Sequence, residues 1–139
     1  MKKDIQFPLV EGVKIAIARK INAINQPEWQ VFLINRNRQT LTNVFVTSKG
    51  YGVKDEIQKD EVHQKTSTLR HFFAEVPSGS HHLIEPIDPH LFHLTNEFWV
   101  SYYIGSQLYD KKFIFVPDSI TEANLIPIQA LGLEGVLHE

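Results

Sequence analysis

The 139-residue sequence contains no cysteine, which excludes disulfides, thiolate zinc sites and a cysteine nucleophile. It also lacks any apolar run approaching the roughly 18–20 residues of a membrane span. The first hydrophobic stretch, Val13 to Ile21, is interrupted by Lys14, Arg19 and Lys20. Met1-Lys2-Lys3 is a basic opening, but Asp4 follows at once and no secretory apolar region comes after it. The expected compartment is therefore the cytoplasm, with no membrane partner. An excess of one charge is missing too: 14 basic and 16 acidic residues leave a net −2. That balance, with aromatics not interleaved among surplus Lys and Arg, argues against a nucleic-acid partner. There is no Gly-x-Ser-x-Gly elbow, no Walker ending, no internal repeat and no low-complexity tract.

What is present is a hydrophobic period of two. Val13, Ile15 and Ile17 share one face of a strand, and Trp29, Val31 and Leu33 do the same in the next. Leu41 to Ser48 resumes the alternation until Gly50-Tyr51-Gly52 ends it. Thr66 to Val76, His81 to Ile87, Phe98 to Ile104 and Gln107 to Val116 follow as further strands. Gly105-Ser106 suits a type II′ hairpin, and Ser119 with Glu122 suits a turn or two of helix. Val53 to Lys65, rich in charge, reads as a long solvated loop. About seven strands separated by turns predict an all-β fold, an immunoglobulin-like antiparallel sandwich, with a jelly roll or cupin-like barrel as the alternative. Trp29, Phe32, Phe45, Phe72, Trp99, Phe113 and Phe115 are expected in its core. Residues 1–139 read as one domain, with 118–139 as an extension. Ile120, Leu125, Ile126, Ile128, Leu131, Leu133, Val136 and Leu137 keep that extension apolar, so it is expected to dock on its own sandwich or on a second copy. Pro127, Gly132 and Gly135 favour an extended path for it.

Seven histidines invite a metal reading. His81 and His82 are adjacent and point oppositely on a strand, Glu85 follows at the wrong spacing for a cupin, and His90 and His93 have one nearby carboxylate, Asp88. Neither a metal site nor a cofactor is expected. Thr47-Ser48-Lys49-Gly50-Tyr51-Gly52 has the composition of a small anion-binding nest, and Thr66 to His71 adds donors if the strands pair. Lys49, Tyr51, Arg70 and His71 are thus the candidate ligand-binding residues. Trp99 and Tyr103 share a face opposite Phe98, Val100 and Tyr102; with Leu131 and Leu133 they are candidate interaction residues.

The segments Leu41 to Gly52, Thr66 to Phe72, Trp99 to Gly105 and Tyr109 to Ser119, with the ending Leu131-Gly132-Leu133-Glu134-Gly135-Val136-Leu137-His138-Glu139, resemble a small bacterial family across nearly the whole chain. Some of its members carry the label of a phenylalanyl-tRNA synthetase α subunit. A class II synthetase catalytic domain is far longer, combines its sheet with helices and carries an arginine motif for ATP that this sequence does not contain. The resemblance therefore implies a family but carries over no functional residue, and synthetase activity is not expected. The expected function is a non-enzymatic protein-interaction module, with a homodimer among the candidate assemblies. A small-ligand or anion-binding domain and a metal-dependent cupin-like enzyme are the alternatives.

Overall fold

The structure, a computed structural model, describes residues 8–53 and 63–139. The charged segment expected to be a solvated loop lies, from 54 to 62, outside the described residues. Among the described residues ten strands follow one another: β1 (Val13–Ile21), β2 (Pro27–Asn35), β3 (Leu41–Val53), β4 (His63–Lys65), β5 (Leu69–Val76), β6 (His81–Pro86), β7 (Thr95–Ile104), β8 (Gln107–Phe115), β9 (Ile126–Ile128) and β10 (Leu133–His138). They form two antiparallel sheets. The first has the order β6-β2-β1-β10-β9. In the second, β5 and β4 pair in succession along one side of the long strand β3, whose other side carries β7 and then β8.

The pairings β1–β2–β6 and β5–β3–β7–β8 reproduce the A-B-E and C′-C-F-G connections of an immunoglobulin-like Greek key. This is the sandwich that the period-two pattern predicts, and it leaves no place for a barrel. β9 and β10 are additional. The extension expected from residue 118 onward docks on its own sandwich as strand, because β10 pairs with β1 from Ile15↔His138 to Arg19↔Glu134. Gly135 permits this approach. A Cβ there would lie 2.7 Å from the Ile17 carbonyl oxygen and 2.9 Å from Ala18 Cα, both backbone atoms that cannot swing aside.

Local chemistry sets the turns. Between β1 and β2, the Asn22 side chain accepts from the amides of Ile24 (3.0 Å) and Gln26 (2.9 Å), while Asn25 takes a left-handed φ of 61°. Gly105 has a φ of 60°, as a type II′ hairpin requires of its first central residue. The helix expected after Ser119 is a single 3-10 turn, Glu122–Asn124, preceded by Thr121 with no side-chain cap.

The core lies between the sheets. Ile15, Ile17, Val31 and Leu33 face Leu41, Val44, Val46, Phe98, Val100, Tyr102 and Phe113, and each contributes roughly 1.5–3 kcal/mol by burial. Asn35, fully buried at the end of β2, closes one end of the sandwich. Its Nδ2 donates to the carbonyls of Gln39 (3.0 Å), Val76 (3.0 Å) and Pro77 (3.2 Å), and its Oδ1 accepts from the Asn37 amide at 2.9 Å. Tyr102 is less well served. Among the described residues its buried hydroxyl has no hydrogen-bond partner, and its ring stacks on Tyr109 with centroids 5.1 Å apart. Burial, and then the nearby Tyr109 phenol, push the Tyr102 pKa well above that of a free tyrosine.

Phe45, Phe72 and Trp99 are not in the core. They are 51%, 52% and 43% exposed. Strand parity explains the correction. Phe45 pairs with Phe72 and with Ser101, and Trp99 pairs with Thr47, all on the side of the second sheet that faces away from the first.

Candidate functional site

Register places five of the eight singled-out residues on one surface, the outer face of the second sheet. One row across it reads Phe72–Phe45–Ser101–Asp110, and the next reads Arg70–Thr47–Trp99–Lys112. Lys49, Glu97 and Ile114 form a third row, with Tyr51 beyond Lys49; Tyr103 lies at the opposite end. Between Thr42 and Phe45 the β3–β7 register slips beside Asn43, whose φ of 46° is left-handed. This bulge sets the parity that turns Phe45 outward.

Trp99 is held rather than loose. Its Nε1 donates to Asp110 Oδ1 at 2.5 Å, and Lys112 Nζ sits 4.6 Å from the ring centroid. Phe45 and Phe72 pack on each other at 4.9 Å. Glu97, although on this face, is nearly covered. Tyr51 donates to its Oε1 at 3.4 Å, and Lys49 Nζ lies 3.7 Å from its Oε2. Partial desolvation, followed by the Glu97 charge and hydrogen bond, raises the Tyr51 pKa.

The other three residues go elsewhere. His71, next to Arg70 on β5, points inward. Leu131 and Leu133 belong to the C-terminal segment on the first sheet, where Leu131 packs with Ala16, Ile34 and Ile128. The Thr47-to-Gly52 stretch is not a turn, since β3 runs through it. Gly50 donates its N–H to Thr66 Oγ1 at 2.7 Å and accepts from the Thr66 amide at 2.9 Å, so that amide is not free to cradle an anion. A Cβ on Gly50 would meet Thr66 Cγ2 at 3.0 Å, and close packing is the reason for a glycine here.

A second feature opens where the edges of the two sheets meet. A cleft of about 230 Å³ is lined by Ser48, Thr66, Ser67, Leu69 and Glu85, with Ile87, Leu91 and Phe98 among its apolar walls. Glu85 reaches across from β6. Its Oε1 accepts from Ser48 Oγ at 2.7 Å and from His71 Nε2 at 2.7 Å. An ionised carboxylate only accepts, so the imidazole donates from Nε2. The trio resembles a hydrolytic triad in composition but not in order. Hydroxyl and imidazole both donate to one carboxylate oxygen, so His71 is not placed to take the Ser48 proton. Ser48 and Glu85 were missed as a pair in the sequence. The available signal was parity, because Ser48 follows Val44 and Val46 on the inward face of β3.

Among the described residues, the histidines elsewhere do not converge on a metal. His90 and His93 stack edge to face at 5.9 Å, and Asp88 is occupied in accepting from the His90 amide at 2.9 Å. Among the described residues no three His, Asp or Glu side chains are grouped to hold an ion. No helix of the described residues is long and apolar enough to cross a membrane. Compared with family models, curated proteins and solved structures, the chain finds no match.

Proposed function

We propose that the chain is a non-enzymatic protein-interaction domain of the cytoplasm, and that the surface seated on its exposed sheet face is a second copy of itself. The observation that carries this reading is the half-exposed set of Phe45, Phe72 and Trp99, adjacent on one sheet and ringed by polar groups. Buried tryptophans and arginines dominate binding energy at interfaces, and here Trp99 and Arg70 share a row. Trp99 is pre-positioned by Asp110 and Lys112, so little side-chain freedom remains to be lost on contact.

Charge selects the occupant. Lys49, Arg70 and Lys112 are offset on the same face by Glu75, Glu97 and Asp110, so no single sign would recruit an oppositely charged partner. A two-fold contact suits such a surface, because each copy brings both signs and the same aromatic centre. Four strand columns about 4.8 Å apart and strands rising about 3.3 Å per residue give a flat face of roughly 600 Å² before side-chain relief. That approaches the roughly 800 Å² per partner of a stable complex. The cytoplasmic setting fits a chain with no cysteine to oxidise.

Sedimentation over a wide concentration range tests the reading. The natural chain is expected to dimerise, and Trp99→Ala to weaken the dimer by about tenfold or more, a loss of about 1.4 kcal/mol. A chain that stays monomeric at every concentration, or a dimer indifferent to Trp99→Ala, would overturn it.

A further inference from the structure

The cleft beside Glu85 is separate from the exposed sheet face, and its chemistry is different. We infer that it binds a small organic cation, an alkyl ammonium whose charge is held by Glu85 and whose short chain lies against Leu69, Ile87, Leu91 and Phe98. This inference does not rest on the dimer.

Four observations lead to it. First, Glu85 is nearly buried, with 11% of its side chain exposed, yet it faces a cavity rather than packed core. Second, its two oxygens are used unequally. Ser48 and His71 both donate to Oε1, and among the described residues nothing donates to Oε2. A carboxylate oxygen left without a donor in a cleft gains from a charged one, and hydrogen bonds to charged groups are the stronger kind. Third, the cations nearest in sequence are directed elsewhere. Lys49 Nζ lies at Glu97, and Arg70 is on the outward parity of β5. Fourth, the hydroxyls of Ser48 and Thr66 are already committed, Ser48 to Glu85 and Thr66 to the Ser67 carbonyl at 3.0 Å.

These points decide between classes of ligand. An anion would face the Glu85 carboxylate, and among the described residues the lysine that lines the cleft, Lys49, has its Nζ directed to Glu97. A hard metal ion would need several oxygen ligands, and Asp88, the other acid of the cleft, is engaged as the cap of the Pro89–Leu91 turn. The volume, about 230 Å³, is below the usual range of about 300–1,000 Å³ for drug-sized ligands. It equals the share of roughly eight water molecules at about 30 Å³ each. A charged head on a chain of a few carbons matches both the size and the walls. The clamp itself has a structural part, since Glu85 joins β6 of one sheet to β3 and β5 of the other. A ligand on Oε2 would complete that junction rather than break it.

The test uses the full chain and n-butylammonium as the probe, followed by two-dimensional NMR of the amides. Saturable shifts are expected at Gly50, Ser67, Glu85 and Phe98. Butyrate and n-butanol, which share the chain but not the charge, are expected to bind at least about tenfold more weakly. Glu85→Gln keeps an acceptor for Ser48 and His71 and should weaken n-butylammonium by about tenfold. If that variant proves unstable, Leu91→Trp fills the cleft without touching the clamp, and should abolish the shifts in a chain that still melts cooperatively. Absence of saturable shifts in the natural chain would overturn the inference. So would equal binding of n-butanol, or n-butylammonium binding undiminished by Glu85→Gln or by Leu91→Trp.

Discussion

The outer faces of the two sheets differ in what covers them. On the first sheet the outward positions include Ala16 and Ala18, both fully buried, and Phe32 and Ile34, nearly so. The C-terminal segment lies there: Ile128 and Leu131 pack on Ala16 and Ile34, and Ile128 approaches Gly135 on β10. On the second sheet the corresponding positions are Phe45, Phe72 and Trp99, each about half exposed. Ala16, Ala18 and Gly135 let the C-terminal segment close on the first face, whereas Phe45, Phe72 and Trp99 stand on a face that the described residues leave open. A face closed by its own chain needs close backbone approach, so alanine and glycine suit it. A face that closes on another surface gains most from rigid, large side chains.

The strongest single disruption lies in the self-covered face. Gly135→Val would drive a side chain into the Ile17 carbonyl and Ala18 Cα, and should cost about 3 kcal/mol or detach β10 from β1. Urea denaturation measures the first outcome, and hydrogen exchange of the β1 amides measures the second. A pair of substitutions then compares the faces directly. Ile128→Ala, at a position 5% exposed, should destabilise the fold by about 2 kcal/mol. Phe45→Ser, in dilute solution where the chain is alone, should change it by no more than about 0.5 kcal/mol. Equal losses at the two positions would erase the distinction.

A smaller effect concerns Tyr102, which belongs to neither face but packs beneath the second. Its folded pKa lies above the unfolded value of about 10. The stability linked to its proton is therefore complete below about pH 10 and is lost as the pH rises past it. Phenolate absorbance should show Tyr102 ionising only together with alkaline unfolding. In Tyr102→Phe the unfolding transition should move to higher pH, and stability at neutral pH should rise slightly, by about 1 kcal/mol, because the unpaired hydroxyl is gone.

Much of this architecture was legible in the sequence, and the reasons are specific. Val13, Ile15 and Ile17 alternate cleanly, so β1 and its inward face followed from period alone. Gly105-Ser106 announced the β7–β8 hairpin. The tail was legible as apolar but not as strand, because β9 and β10 are short and are specified by the edge of β1 more than by their own pattern. The exposure of Phe45 and Phe72 was not legible, since apolar residues on a strand read as core until the register and the bulge at Asn43 are known. Of the candidate residues, Lys49, Tyr51, Arg70, Trp99 and Tyr103 were brought to one face by parity. His71 was separated from Arg70 by the same rule. The Glu85 cleft depends on side-chain hydrogen bonds from β6 to strands of the opposite sheet, at sequence separations of 37 for Ser48 and 14 for His71, which no local pattern encodes.

The central claim is that the uncovered sheet face meets a second copy. Mixing isotope-labelled and unlabelled chains and recording only contacts between the two kinds of molecule tests it most directly. The account predicts intermolecular contacts at Phe45, Phe72 and Trp99 and none at Leu131 or Leu133. Contacts confined to Leu131 and Leu133, or no intermolecular contacts at concentrations where the chain is otherwise well folded, would contradict it.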